Sequence, residues 1–137
     1  MTTAAKKRIL VIDNEPASTR MVRLTLERHE GFEVRELNDP THALTAAGVF
    51  RPDLILLDVE MPALNGGDVA RRLRSVPVLR KVPVVFMTSL LTEGEAAGPV
   101  YTGGARVLAK PVTMAKLVEC VAGLLGMLCA RPAVPST

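Results

Sequence analysis

Three short apolar runs constrain this chain more than anything else in it: KRILVI (7–12), DLILLD (53–58) and VPVVFM (82–87). They are continuous and rich in Val, Ile and Leu, so neither face of the segment is suited to water. Such runs read as strands buried on both faces, which belong to a parallel sheet covered by helices. FEVREL (32–37) is mixed and reads as a strand nearer the sheet edge, and ARVLAK (105–110) as a short fifth strand.

Helical stretches separate these strands. The first opens at Pro16, a favoured first helical position, and is expected to stop at Gly31. Residues 39–49 begin Asp39-Pro40-Thr41 and end near Gly48, and residues 67–75 and 113–130 supply two more helices. LTEGEAAGPVY (91–101) is the poorest helical segment, because Gly94, Gly98 and Pro99 each oppose a helix interior. A short or irregular element is expected there. Strand followed by helix, five times over, predicts an α/β fold with an open, doubly wound, five-stranded parallel sheet.

The chain has 137 residues, the size of one domain. Residues 7–130 form that domain in this reading, with 1–6 a flexible arm and 131–137 a flexible tail. Three Phe, one Tyr and no Trp leave an aliphatic core and weaken any case for stacking on nucleic-acid bases. The net charge of +3 comes from 17 basic and 14 acidic residues in mixed order, so no nucleic-acid partner is expected. No run reaches the ~18 apolar residues that cross a bilayer. Cys120 and Cys129, about 13 Å apart if on one helix, are too distant for a disulfide and read as reduced side chains. A cytoplasmic protein is expected, without membrane attachment.

In an open parallel sheet, ligands bind beyond the carboxyl ends of the strands. The residues just past the apolar runs are Asp13-Asn14-Glu15, Asp58, Thr88-Ser89 and Lys110-Pro111, with Asn38-Asp39 after the mixed strand. One rim therefore gathers carboxylates, a hydroxyl and an ammonium. Asp13, Asp58 and a nearby backbone carbonyl could hold Mg²⁺ through oxygen. A carboxylate beside Mg²⁺ can attack a phosphoryl group to give an aspartyl phosphate, whose oxygens a Thr hydroxyl and a Lys ammonium would bind. Each signal is weak alone, and the conjunction carries the reading.

At this point the sequence resembles the response-regulator receiver domains of bacterial two-component signalling, of the chemotaxis-regulator type. ILVIDNEP is similar to the acidic first turn of that family. DLILLDVEMPALNGGDVARRLR is similar to its phosphoacceptor strand and following loop, KVPVVFMTS to its fourth strand and VLAKP to its fifth. The resemblance spans residues 7 to about 128 and implies the flavodoxin-like receiver fold with strand order 2-1-3-4-5. It makes Asp58 the phosphoacceptor, with Lys110 and Thr88 on the phosphoryl oxygens. It gives the metal Asp13, Asp58 and the backbone carbonyl of Glu60, and places Asn14 where the family usually has a second acid. Asn14 is then a weakened ligand, because its amide brings oxygen without charge. Glu15 next to it is expected to stabilise the start of the first helix.

Two further positions depart from the family's pattern. Val107 stands where receivers usually carry Tyr or Phe, so the aromatic half of the switch is absent unless Tyr101 substitutes. The broken segment 91–101 falls on the family's signal-bearing fourth helix. Glu60 and Leu90 occupy positions that set access of the hydrolytic water.

The resemblance implies a sensor histidine kinase or histidine phosphotransfer protein as phosphoryl donor, docking on Pro16, Ala17, Arg20 and Met21 and on the loop after Lys110. It implies a phosphoryl acceptor and switch more than an enzyme, with a stand-alone domain signalling to an unknown downstream protein by contact. The apolar last helix, with Glu119 its only charged residue from Val118 to Ala130, is expected to pack on a partner or a second copy. The competing reading is a degenerate pseudo-receiver that binds partners without phosphorylation. A nucleotide-binding α/β fold is disfavoured, since no Gly-rich phosphate loop follows the first strand.

Overall fold

The computed structural model describes residues 6–59, 66–88, 106–109 and 113–126. Five strands, β1 (Lys7–Ile12), β2 (Phe32–Leu37), β3 (Leu54–Asp58), β4 (Val84–Thr88) and β5 (Arg106–Ala109), pair in parallel in one sheet. Their spatial order is β2-β1-β3-β4-β5, as the resemblance implied. The described helices are α1 (Pro16–Leu26), α2 (Ala43–Phe50), α3 (Gly66–Arg74) and α4 (Met114–Leu124).

Alternation along the strands divides the buried side chains between two faces. Leu10, Ile12, Ile55, Leu57, Val84, Phe86 and Val107 pack beneath α2 and α3, against residues such as Ala47, Phe50, Val69 and Leu73. Ile9, Val11, Leu54, Leu56, Val85 and Met87 pack beneath α1 and α4, against Leu26, Leu117, Val118 and Val121. Both faces being covered explains why the central strands are apolar without alternation. Burying one Leu of this kind is worth about 1.5–3 kcal/mol, so β1 and β3 carry much of the stability.

Several element ends differ from those the sequence suggests. α1 stops at Leu26, well short of Gly31; at its C-cap the Glu27 side chain accepts the Val34 N–H at 3.0 Å and ties the helix end to β2. His29 then packs its ring 5.8 Å from Phe32 as the chain turns onto β2. The expected helix 39–49 is two pieces: a 3-10 turn, Pro40–His42, capped by the Asp39 side chain, and then α2. α2 runs through Gly48 to Phe50 and ends at Arg51, held left-handed at φ 57°. Burial of Phe50 in the core outweighs the breaking tendency of Gly48. β4 begins at Val84, not at 82, because Val82 is still hydrogen-bonded back to Leu79 in a turn.

The last helix starts at Met114 under a Thr113 cap and ends at Leu124, with Gly126 left-handed just beyond at φ 69°. Its apolar residues Leu117, Val118, Cys120, Val121 and Ala122 are buried against the sheet, and among its described residues Met114 and Leu124 are the large apolar side chains left exposed. Residues 127–130 of the apolar stretch read from the sequence lie outside the described residues. At the opposite end of the sheet from the acidic turn, the guanidinium groups of Arg8 and Arg35 lie 5.5 and 4.7 Å from the Phe50 ring centre. Arg8 also donates to the Phe50 carbonyl at 2.9 Å. The segment 91–101, Tyr101, Glu60, Leu90, Lys110, Cys129, residues 1–5 of the expected arm 1–6 and the tail lie outside the described residues.

Candidate functional site

β1 and β3 are neighbours with Ile12 opposite Leu57, so Asp13 comes level with Asp58 one residue further on. β3 and β4 pair Asp58 with Met87, which places Thr88 one residue past it on the next strand. All three side chains are buried: Asp13 is 2%, Asp58 3% and Thr88 0% exposed. Three of the rim residues expected from the sequence are thus brought together at adjacent strand ends. Lys110 and Glu60, expected beside them, lie outside the described residues.

The turn from β1 into α1 is tied down locally. Asp13 Oδ1 accepts the Glu15 N–H at 3.0 Å, a short acidic turn that leads into Pro16. Glu15 stands at the N-cap of α1, where its carbonyl accepts from the Ser18 and Thr19 N–H groups. Its side chain makes no capping hydrogen bond, so it supports the helix by its backbone and by the charge it brings to the positive helix end. Asn14 is exposed at the tip of the turn.

Two carboxylates level on strands about 4.8 Å apart repel unless positive charge lies near. The donor set, two carboxylates and the Asn14 amide oxygen, consists of hard oxygen ligands and suits Mg²⁺, which takes few carboxylates and keeps several waters. Among the described residues no three His, Cys, Asp or Glu side chains form a metal-holding group. The residues present fit a divalent cation held by two charges.

Behind the turn lies a polar network that the sequence reading missed. The Asn38 side-chain amide donates to the Asp13 carbonyl at 2.8 Å and to Thr19 Oγ1 at 2.9 Å. Thr19, fully buried, donates to Glu36 Oε1 at 2.8 Å. The other Glu36 oxygen pairs with Arg23, which also reaches Glu27 at 3.4 Å. The Arg23 hydrogen bond, helped by that from Thr19, holds the Glu36 carboxyl below its ordinary value, against the opposing effect of burial. The signal available in the sequence was a threonine in the otherwise apolar 19–22–26 stripe of α1.

Val107 is buried opposite Phe86 in the α2–α3 core. An aliphatic residue therefore fills the place where the resemblance led one to expect an aromatic ring.

A parallel sheet with acids and a hydroxyl converging at its strand ends defines a doubly wound α/β module whose site lies at that rim. The family model for the response regulator receiver domain matches residues 9–122, and the chain belongs to that family. Domains of this family are phosphorylated by kinases and bind Mg²⁺. The DNA-binding response regulator MtrA of Mycolicibacterium smegmatis is 36% identical over 116 residues, which cover 85% of this chain and 49% of that protein. Response regulator PleD of Caulobacter vibrioides is 38% identical over 105 residues, 77% of this chain and 23% of PleD. The chain spans about half the length of MtrA, and less of PleD.

Solved structures agree. The chemotaxis protein CheY4 of Vibrio cholerae superposes with a TM-score of 0.76 at 25% identity, covering 87% of this chain and 98% of that one. The receiver domain of the sensor histidine kinase PA1611 of Pseudomonas aeruginosa, with a magnesium ion coordinated in its active site cleft, gives 0.76 at 27% identity over 89% of this chain and 99% of that one. Among the described residues no helix is long and apolar enough to cross a membrane.

Proposed function

We propose that this receiver accepts a phosphoryl group on Asp58 from a phosphohistidine of a sensor kinase or phosphotransfer protein. A carboxylate oxygen of Asp58 attacks phosphorus, the N–P bond breaks, and the donor imidazole leaves with its electron pair and takes up a proton. Asp13, Asp58 and the Glu60 carbonyl are the proposed holders of Mg²⁺, with Asn14 as a ligand lacking charge. Bound there, the cation supplies charge neutralisation at the phosphoryl oxygens. Thr88 and Lys110 are the proposed partners of those oxygens. The output is protein contact, with the donor meeting the α1 face that carries Arg20 and the exposed Met21.

The observation that carries this reading is Asp58, buried at the end of a central strand and level with a second buried carboxylate. A structural residue at that place would not need an acid beside an acid. A second reading, partner binding without phosphorylation, draws on Asn14 and on the burial of Val107.

One experiment separates the two. The protein is incubated with a small acyl phosphate and Mg²⁺, and its intact mass is followed beside Asp58→Ala. A hydroxylamine-labile gain of one phosphoryl on the wild type alone supports phosphotransfer. No gain from this donor or from any kinase supports the second reading.

A further inference from the structure

The β1–β2 ladder ends in an unusual way. The Asp13 N–H donates to the Leu37 carbonyl at 3.1 Å. In a continuing parallel ladder the Asp13 carbonyl would next take a main-chain N–H from β2. The chain turns away instead, because Asp39 caps the 3-10 turn and the buried Pro40 follows. The Asn38 side chain supplies the missing donor at 2.8 Å.

Both protons of that amide are used, one on the Asp13 carbonyl and one on Thr19 Oγ1. The Thr19 hydroxyl has a single proton and two acceptors in reach, Glu36 Oε1 at 2.8 Å and the Pro16 carbonyl at 3.1 Å. The carboxylate is nearer and charged, so it takes the proton. Thr19 then has only its lone pairs to offer Asn38, which fixes the amide orientation. The direction of every bond from Glu36 to the Asp13 peptide is thereby set.

The geometry points to Asn38 and Thr19 as positioning residues for the acidic turn, and so for the affinity of the cation site. The inference rests on the proposed role of Asp13 as a metal ligand. With the Asp13 N–H held by Leu37 of β2, its carbonyl by the Asn38 side chain just beyond, and Oδ1 by the Glu15 N–H, the residue is fixed at three points. A site with two charged ligands depends more on such preorganisation than one with three. Outer partners of metal ligands commonly alter affinity by about 10–100-fold, and the lower end is expected for a bond to the peptide of the ligand.

The test is a Mg²⁺ titration followed on the backbone amide resonances of Asp13 and Asp58, in the wild type, Asn38→Ala, Thr19→Val and Thr19→Ser. Thermal unfolding in EDTA is measured alongside. Asn38 is exposed, so its truncation leaves the core intact. Asn38→Ala and Thr19→Val should weaken Mg²⁺ about tenfold; Thr19→Ser, which keeps the hydroxyl, should restore it. Asn38→Ala should unfold in EDTA close to the wild type. Wild-type affinity in Asn38→Ala overturns the inference and leaves the phosphotransfer reading standing, and so does lowered stability in EDTA with unchanged affinity. Absence of any Mg²⁺ effect on those two amides in the wild type removes the metal site and this inference together.

Discussion

Asp13 and Asp58 stand level across two neighbouring strands, one residue beyond the Ile12–Leu57 pair, and both are buried. Two acids held this way gain from any cation that enters between them. The exposed residue next to them, Asn14, adds an oxygen and no charge.

Asn14→Asp should therefore bind Mg²⁺ more tightly, by about tenfold or 1.4 kcal/mol. The gross attraction of one more charge is larger, but desolvation offsets most of it. Without the metal the same change adds repulsion and should lower stability by under about 1 kcal/mol, since the position is exposed. Calorimetric titration and denaturant unfolding in EDTA read the two effects. Equal Mg²⁺ affinities would refute the charge argument.

Glu36 gives the fold a pH dependence of defined sign. Its carboxyl is held below the ordinary glutamate value of 4.5 by Arg23 first and Thr19 second. A depressed folded value contributes stability that is present above the unfolded value and lost as pH falls through the folded one. Glu36→Gln should cost roughly 1 kcal/mol at neutral pH, and the gap to the wild type should close in acid below 4.5. Urea unfolding of both proteins across that range measures it; a gap that widens in acid would contradict the assignment.

Arg51 ends α2 in the left-handed region, where a β-carbon costs energy and glycine does not. Arg51→Gly keeps the N–H that donates to the Ala47 carbonyl at 2.8 Å. It should stabilise the protein by about 0.5–1 kcal/mol after the added freedom of the unfolded glycine is counted. Arg51→Val should do the opposite. Thermal unfolding midpoints decide, and a midpoint lowered by glycine would show that the Arg51 side chain matters more than its backbone.

Val107 fills its core site beside Phe86. Enlarging it to Tyr, one of the two rings the resemblance leads one to expect there, should cost about 1–3 kcal/mol through overpacking. Unchanged stability in Val107→Tyr would reveal room for a ring on this face.

The strand ends were legible because aliphatic runs stop where the sheet meets water, which is why Asp13, Asp58 and Thr88 were found from residue types alone. The strand order came from the family resemblance, since apolar runs say nothing of which strand lies beside which. Helix ends were read less well: at Gly48 local propensity gave way to the burial of Phe50, and the first helix stops at Leu26, before the Gly31 that marks a helix end in the sequence. The Asn38–Thr19 link joins residues far apart in sequence and appears only once β1 and β2 are in register.

The two cores described above have a consequence for any signal that begins at this rim. By strand alternation, Asp58 shares the parity of Leu56, on the α1–α4 face, whereas Thr88 shares that of Phe86, on the α2–α3 face. The two compartments therefore meet at one rim, where Asp58 and Thr88 end neighbouring strands. Were Asp58 to carry a phosphoryl group, as proposed, Thr88 would be the rim residue through which the change enters the α2–α3 core.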